Sequence, residues 1–222
     1  MTTVAMIPGA GGSAWYLHPV VDLLRGRGID AFAVDLPAAD PAKGLSDYAD
    51  VVVEAIGARD DVVLVAQSLG GFTAPLVWPR VDLRAVVFLT AMVPVPGERL
   101  GDWSEHVGAE AERLAAAERG GWSSAFDDTT FFHDVPAELV EQAAAHDESE
   151  AATVFDEAVD FAWPDVPVHV VAARDDRMFP LDLQRRVARE RLGVEPEIVP
   201  GGHLATLSSP GPIADLLARW AA

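Results

Sequence analysis

The chain has 222 residues, half of them hydrophobic, no cysteine and a formal net charge of −19. That length fits one domain with a large core and room for an insertion. The missing cysteines exclude a disulfide framework and thiol chemistry, and the negative charge argues against nucleic acid and anionic membranes as partners, since both need a basic surface.

Residues 3–7 form a short apolar run that reads as a buried strand, and Pro8-Gly9-Ala10-Gly11-Gly12-Ser13 follows as a glycine-rich loop. Residues 14–27 carry Trp15, Val20, Leu23 and Leu24 at helical spacing, with Gly28 suited to the helix end. A strand over 29–34 and a helix over 46–56, with Ser46 as its expected N-cap, come next. Residues 62–66 give another apolar strand, 71–78 a helix and 84–90 a further strand. The strands are continuously apolar and alternate with helices, a pattern that predicts a parallel sheet covered on both faces.

The alternation stops at residue 98. Residues 98–163 hold no convincing strand, are rich in Ala, Glu and aromatics, and suggest helices near 104–118, 136–146 and 148–160. A stretch this long exceeds an ordinary crossover and is expected to be a helical cap over the carboxyl edge of the sheet. Its removal is expected to alter substrate choice more than intrinsic reactivity. The core is thus assigned to 1–97 and 164–222. It resumes with a strand over 166–172, a helix over 181–191, a last strand over 195–199 and a closing helix over 210–220.

The chemistry concentrates at the ends of three strands. Ser68 lies at a strand-to-helix turn, Ala66-Gln67-Ser68-Leu69-Gly70-Gly71, whose small residues suit a strained elbow with its hydroxyl exposed above the sheet. The Asp175-Asp176 pair and His203, which follows two glycines, fall at the same carboxyl edge, where ligands bind in open α/β sheets. A serine needs a base to activate it and an acid to orient that base. His203 suits the first role, either aspartate the second. The backbone N–H of Leu69, directly after the serine, is the first expected oxyanion donor. A competing reading takes Gly9 to Ala14 as a loose dinucleotide-binding loop with Asp35 as its ribose acid, but it leaves Ser68 and His203 unexplained.

Taken together, Ile7 to Trp15, Ala66 to Gly71, Asp176 to Pro180 and Gly201-Gly202-His203 resemble the α/β-hydrolase family over essentially the whole chain. The closest likeness is to its small branch of methyl esterases and hydroxynitrile lyases. The resemblance implies an α/β-hydrolase fold, mostly parallel with about six strands, helices on both faces and a helical cap. It implies Ser68 as nucleophile, His203 as base and an aspartate as acid. Asp176, four residues before Pro180, fits the family pattern better than Asp175. It further implies Ala10 as the second oxyanion donor.

The expected activity is that of a cofactor-free serine esterase acting on a small to medium hydrophobic ester through an acyl-enzyme. Trp15, Phe72 and Phe179 are expected to line its pocket. The alternatives are a carbon–carbon lyase and a non-catalytic, receptor-like binder. The lyase reading is weakened by Leu204 and Gly9 where the similar lyases carry lysine and threonine. No histidines show metal-ligand spacing, so no metal site is expected. His106 and His146 read as solvated helix positions. His133-Asp134 reads as a pocket group or as a turn with Asp134 capping the next helix. No apolar run reaches the length of a membrane span. The first strand begins by Val4, leaving no room for a signal peptide, so the expected location is cytoplasmic. The expected assembly is a monomer or a homodimer.

Overall fold

A computed structural model describes residues 2–222. The first half alternates strictly: β1 (Thr3–Ile7), α1 (His18–Gly26), β2 (Asp30–Ala33), α2 (Leu45–Ile56), β3 (Val62–Gln67), α3 (Gly70–Val77) and β4 (Leu83–Leu89). Pro19 stands in the first turn of α1, where a missing N–H costs nothing. Before it, residues 14–17 form a 3-10 turn, so the expected single helix over 14–27 is two pieces. Helix α2 begins at Leu45 with Gly44 as N-cap; Ser46 is already inside it. The capping oxygen comes instead from Asp47, which accepts from the Gly44 amide at 3.0 Å.

After β4 the chain makes β5 (Glu98–Arg99), α4 (Trp103–His106), α5 (Ala109–Gly120), α6 (Asp128–Phe132), α7 (Ala137–Ala143) and β6 (Ala158–Val159). The sequence shows no convincing strand here, yet β5 and β6 pair antiparallel, Glu98 opposite Val159, and close the base of the segment. A two-residue pairing is too short to leave a periodic signal. The helix expected over 148–160 is only a 3-10 turn at Ala152–Asp156. Trp103 donates its indole N–H to the Val93 carbonyl at 3.0 Å and is buried in the main core. Phe161 and Trp163 pack on Trp78, so these aromatics serve the core rather than a pocket.

The chain then returns through β7 (Val168–Ala173), α8 (Leu181–Leu192), β8 (Glu197–Val199), α9 (Ala205–Ser208) and α10 (Pro210–Ala221). Among the described residues, six strands form one wholly parallel sheet in the order β2-β1-β3-β4-β7-β8. Alternate residues of each strand feed two cores. Ala5, Ile7, Leu64, Ala66, Val86 and Phe88 face α2, α3 and α8. Val4, Met6, Val63, Val65, Val87 and Leu89 face α1 and α10. Burial on both faces explains why the strands read as unbroken apolar runs. It also makes α3 apolar on all sides, since it sits between the sheet and α2. Parallel strands put all their carboxyl ends on one edge, so the turns after β1, β3, β7 and β8 converge there.

Candidate active site

Ser68 sits in the turn between β3 and α3 with φ of +52°, a left-handed conformation that costs a non-glycine residue about 1–3 kcal/mol. Its surroundings hold it there: its amide donates to the Leu89 carbonyl at 3.3 Å, and its carbonyl accepts from Met92 and Gly71 at 3.0 and 3.1 Å. Packing around the turn permits only small residues. A Cβ on Gly70 would lie 2.5 Å from the Pro8 carbonyl oxygen, and one on Gly71 would lie 1.9 Å from that of Met92. Gly9 of the first loop is pressed just as closely, 2.8 Å from the Ser68 Cβ for an added Cβ.

His203 reaches the serine from the turn after β8. Its Nε2 is 2.9 Å from Ser68 Oγ, and its Nδ1 is 2.9 Å from Asp176 Oδ2. An ionised carboxylate only accepts, so Nδ1 carries the proton and Nε2 is the acceptor for the serine O–H. His203 and Asp176 are buried, while Ser68 keeps part of its surface open. Asp176 Oδ1 accepts from the Met178 and Phe179 amides, both at 2.8 Å, which fixes the carboxylate in place. Asp175 turns away: its carbonyl accepts from His133 Nε2 at 3.0 Å, and its carboxylate lies 3.4 Å from the Gly201 amide. The Phe179 and Phe131 rings meet the imidazole edge-on at 5.0 and 5.8 Å.

A cavity of about 360 Å³ opens over this group. Gly9, Ala10, Ser68 and His203 form its floor, and Tyr16, Phe131, Phe132, Val140 and Leu204 supply its apolar wall. Asp128, Asp147, Glu148 and Glu150 also line it, with no lysine or arginine among the lining residues. Among the described residues neither the Ala10 nor the Leu69 amide donates to another backbone group. Leu69 itself is buried at the N-terminus of α3, and Ala10 is exposed on the cavity side.

The three expected pocket residues lie elsewhere. Phe72 is fully buried, because the first turn of α3 already faces the sheet. Phe179 is 3 % exposed and lies behind the imidazole, packed against Trp103. Trp15 stacks on His146 with ring centroids 4.9 Å apart, leaving its neighbour Tyr16 to line the cavity. His146 is therefore a cavity residue rather than a solvated helix position. His106 donates to the buried Glu98 carboxylate at 2.8 Å. Asp134 caps no helix, since Pro136 stands at the start of α7. Asp35 accepts from the Ala14 amide at 2.8 Å, which gives it a structural partner and removes the case for a ribose acid. Among the described residues, no group of three or more His, Cys, Asp or Glu could hold a metal ion, and no helix is long and apolar enough to cross a membrane.

Residues 4–216 match the alpha/beta hydrolase family, and the chain belongs to it. Among curated proteins it is 34% identical over 107 residues to a probable esterase, PIR7A, of Oryza sativa subsp. indica, covering 43% of this chain and 41% of the relative. It is 31% identical over 103 residues to methyl jasmonate esterase 1 of Vitis vinifera, covering 41% and 40%. The matched stretch thus spans about two fifths of the length of these relatives. Among solved structures, polyneuridine aldehyde esterase superposes with a TM-score of 0.77 at 19% identity over 99% of this chain and 98% of that one. A pyrethroid hydrolase from Sphingobium faniae JZ-2 gives 0.78 at 20% identity, over 99% and 97%. At these identities the two structures speak for the fold.

Proposed function

We propose that this protein is a serine esterase that cleaves a small to medium, neutral, hydrophobic ester. The observation that carries the reading is the unbroken chain of hydrogen bonds from Ser68 through His203 to Asp176, each 2.9 Å, opening onto one cavity. Ser68 Oγ attacks the ester carbonyl carbon while His203 Nε2 takes the hydroxyl proton. Asp176 holds the ring in the required tautomer and stabilises the imidazolium. The Leu69 and Ala10 amides receive the negative charge on the carbonyl oxygen. Collapse of the tetrahedral intermediate breaks the C–O bond. His203 gives its proton to the departing oxygen, and an alcohol leaves an acyl group on Ser68. A water, deprotonated by the same nitrogen, then attacks the acyl carbon. As this second intermediate collapses, the bond from the acyl carbon to Ser68 Oγ breaks, His203 returns the proton to that oxygen, and the acid leaves.

The lining supports this substrate class. Phe131, Phe132, Val140 and Leu204 offer apolar area. Four carboxylates, with no lysine or arginine beside them in the lining, disfavour an anionic acyl group. Names of two relatives, methyl jasmonate esterase 1 and methylesterase 7, support methyl esters as the first natural form to try. A carbon–carbon lyase on this framework would gain from a cation beside the base, and Leu204 occupies that place.

Hydrolysis of p-nitrophenyl esters from acetyl to octanoyl, alongside uncharged methyl esters, tests the proposal. The expected result is turnover with an optimum at short or medium chains, abolished in Ser68→Ala. Turnover that persists in Ser68→Ala, or none with any ester, overturns it.

A further inference from the structure

The loop that carries Ala10 is gripped by a carboxylate from far along the chain. Glu150 Oε2 accepts from the Gly11 amide at 3.0 Å. Its other oxygen accepts from the Tyr48 hydroxyl at 2.6 Å. Tyr48 is fully buried in α2, so one carboxylate joins the rigid core, the first loop and the segment between β5 and β6. The neighbouring backbone makes the same contact. Ala151 donates to the Ala38 carbonyl at 2.8 Å, and a Cβ on Gly11 would lie 2.5 Å from the Glu148 carbonyl oxygen. Gly11 also has φ of +79°, so the loop needs glycine there twice over.

The direction of the Tyr48 bond is settled by its surroundings. Burial, reinforced by the Glu150 bond, pushes the Tyr48 hydroxyl far above its ordinary range, so it stays a donor. Burial also raises the Glu150 carboxyl, against the opposing pull of the Tyr48 and Gly11 bonds.

An oxyanion donor works only if it is fixed before the charge develops, and a small displacement forfeits much of its effect. The loop lies outside any helix or strand. Residues 9–12 close a turn in which Gly12 donates to the Gly9 carbonyl at 3.1 Å, the Gly12 carbonyl accepts from the Leu36 amide at 2.8 Å, and Gly9 is wedged against Ser68. Within that turn Glu150 is the side chain that holds the peptide unit directly after Ala10.

We propose that Glu150, held by Tyr48, is a positioning residue that sets the oxyanion loop of this enzyme. The inference rests on the reading of Ala10 as an oxyanion donor. It also changes what the segment 98–163 does. Deleting that segment would remove Glu150, so catalytic rate falls along with any change in substrate choice.

The test compares Glu150→Ala, Glu150→Gln, Glu150→Asp and Tyr48→Phe by steady-state kinetics on p-nitrophenyl acetate, thermal melting and amide hydrogen exchange of residues 9–13. Glu150→Ala is expected to lower kcat by roughly 10- to 100-fold with KM within about twofold, and to speed exchange in the loop. A glutamine can accept from Gly11 and donate to the Tyr48 oxygen, so Glu150→Gln keeps kcat within about threefold. The shorter aspartate reaches one partner only and follows alanine. Tyr48→Phe falls between.

A rise in KM with kcat unchanged would make Glu150 a substrate contact and overturn the proposal. So would a glutamine variant as slow as alanine, or an alanine variant as fast as wild type. If wild type turns over no ester and Ser68 takes no fluorophosphonate, the esterase reading fails. Loop exchange then decides separately whether Glu150 holds the loop, and unchanged exchange in Glu150→Ala and Tyr48→Phe rejects the clasp itself.

Discussion

Asp134 accepts a hydrogen bond from the Gly202 amide at 2.6 Å, gripping the chain one position before His203. The same oxygen accepts from the Ser208 hydroxyl at 2.8 Å. A Cβ on Gly202 would lie 2.8 Å from Asp134 Oδ1, so this glycine is needed for close approach. Next door, His133 donates to the Asp175 carbonyl, beside Asp176. Two consecutive residues thus brace the turns that carry His203 and Asp176. Asp134→Ala leaves a buried amide without its acceptor, at a cost of about 1–3 kcal/mol. It is expected to lower the melting temperature and to slow kcat by roughly tenfold. Ser208→Ala, which spares the Gly202 bond, is the control and stays within about threefold.

The two adjacent aspartates make a sharp comparison. Asp176→Asn removes the carboxylate that orients the imidazole, and kcat is expected to fall by roughly 10⁴ with little change in fold. Asp175→Asn keeps the backbone carbonyl that His133 uses and is expected to stay within a few-fold of wild type. Equal losses in both would contradict the assignment of roles.

Glycine replacements should separate packing from conformation. Gly71→Ala puts a methyl group against the Met92 carbonyl, which is backbone and cannot give way cheaply. It is expected to destabilise by about 1–3 kcal/mol and to cut activity, because Met92 also donates to the Ser68 carbonyl. Gly26, at the exposed end of α1, has nothing within 4 Å of an added Cβ. Gly26→Ala is expected to stabilise by about 0.5 kcal/mol. Chemical denaturation of both variants checks the contrast.

Glu98 ties the start of the segment 98–163 to α8. Its buried carboxylate accepts from Arg191 at 2.9 Å, from His106 at 2.8 Å and from the Val95 amide at 3.1 Å. Burial pushes its pKa up, but the Arg191 and His106 bonds outweigh that and hold it below the ordinary glutamate value. A depressed folded-state value stabilises the fold above the unfolded glutamate value, about 4.3, and this contribution is lost as pH falls below it. Arg191→Ala strands the charge and is expected to cost about 3–5 kcal/mol at neutral pH. Melting curves between pH 7 and pH 4 should show the gap between wild type and Arg191→Ala narrowing on the acid side.

How far the sequence could be read depended on the range of the interaction. The elbow at Ser68 was legible because its requirements are local: a small residue two before it and glycines two and three after. His203 was legible from the glycines ahead of it, and the six strands from their apolar runs. Long-range partners left no comparable trace. Asp134 resembled a helix cap because nothing in the sequence shows that Gly202 folds against it. The pocket residues failed for the same reason. Phe72 points into the core because α3 packs on the sheet, and Tyr16 lines the cavity beside residues from 128–148. Repeated aromatics marked 98–163 as packed against something, but not that Phe161 and Trp163 belong to the core while Phe131 and Phe132 face the site.

Mass-spectrometric mapping of a fluorophosphonate adduct tests the central claim most directly. The account predicts stoichiometric phosphonylation of Ser68, none in Ser68→Ala, and labelling slowed by roughly 10³-fold or more in His203→Ala. An unmodified Ser68, or labelling as fast in His203→Ala as in wild type, would contradict an activated nucleophile at this site.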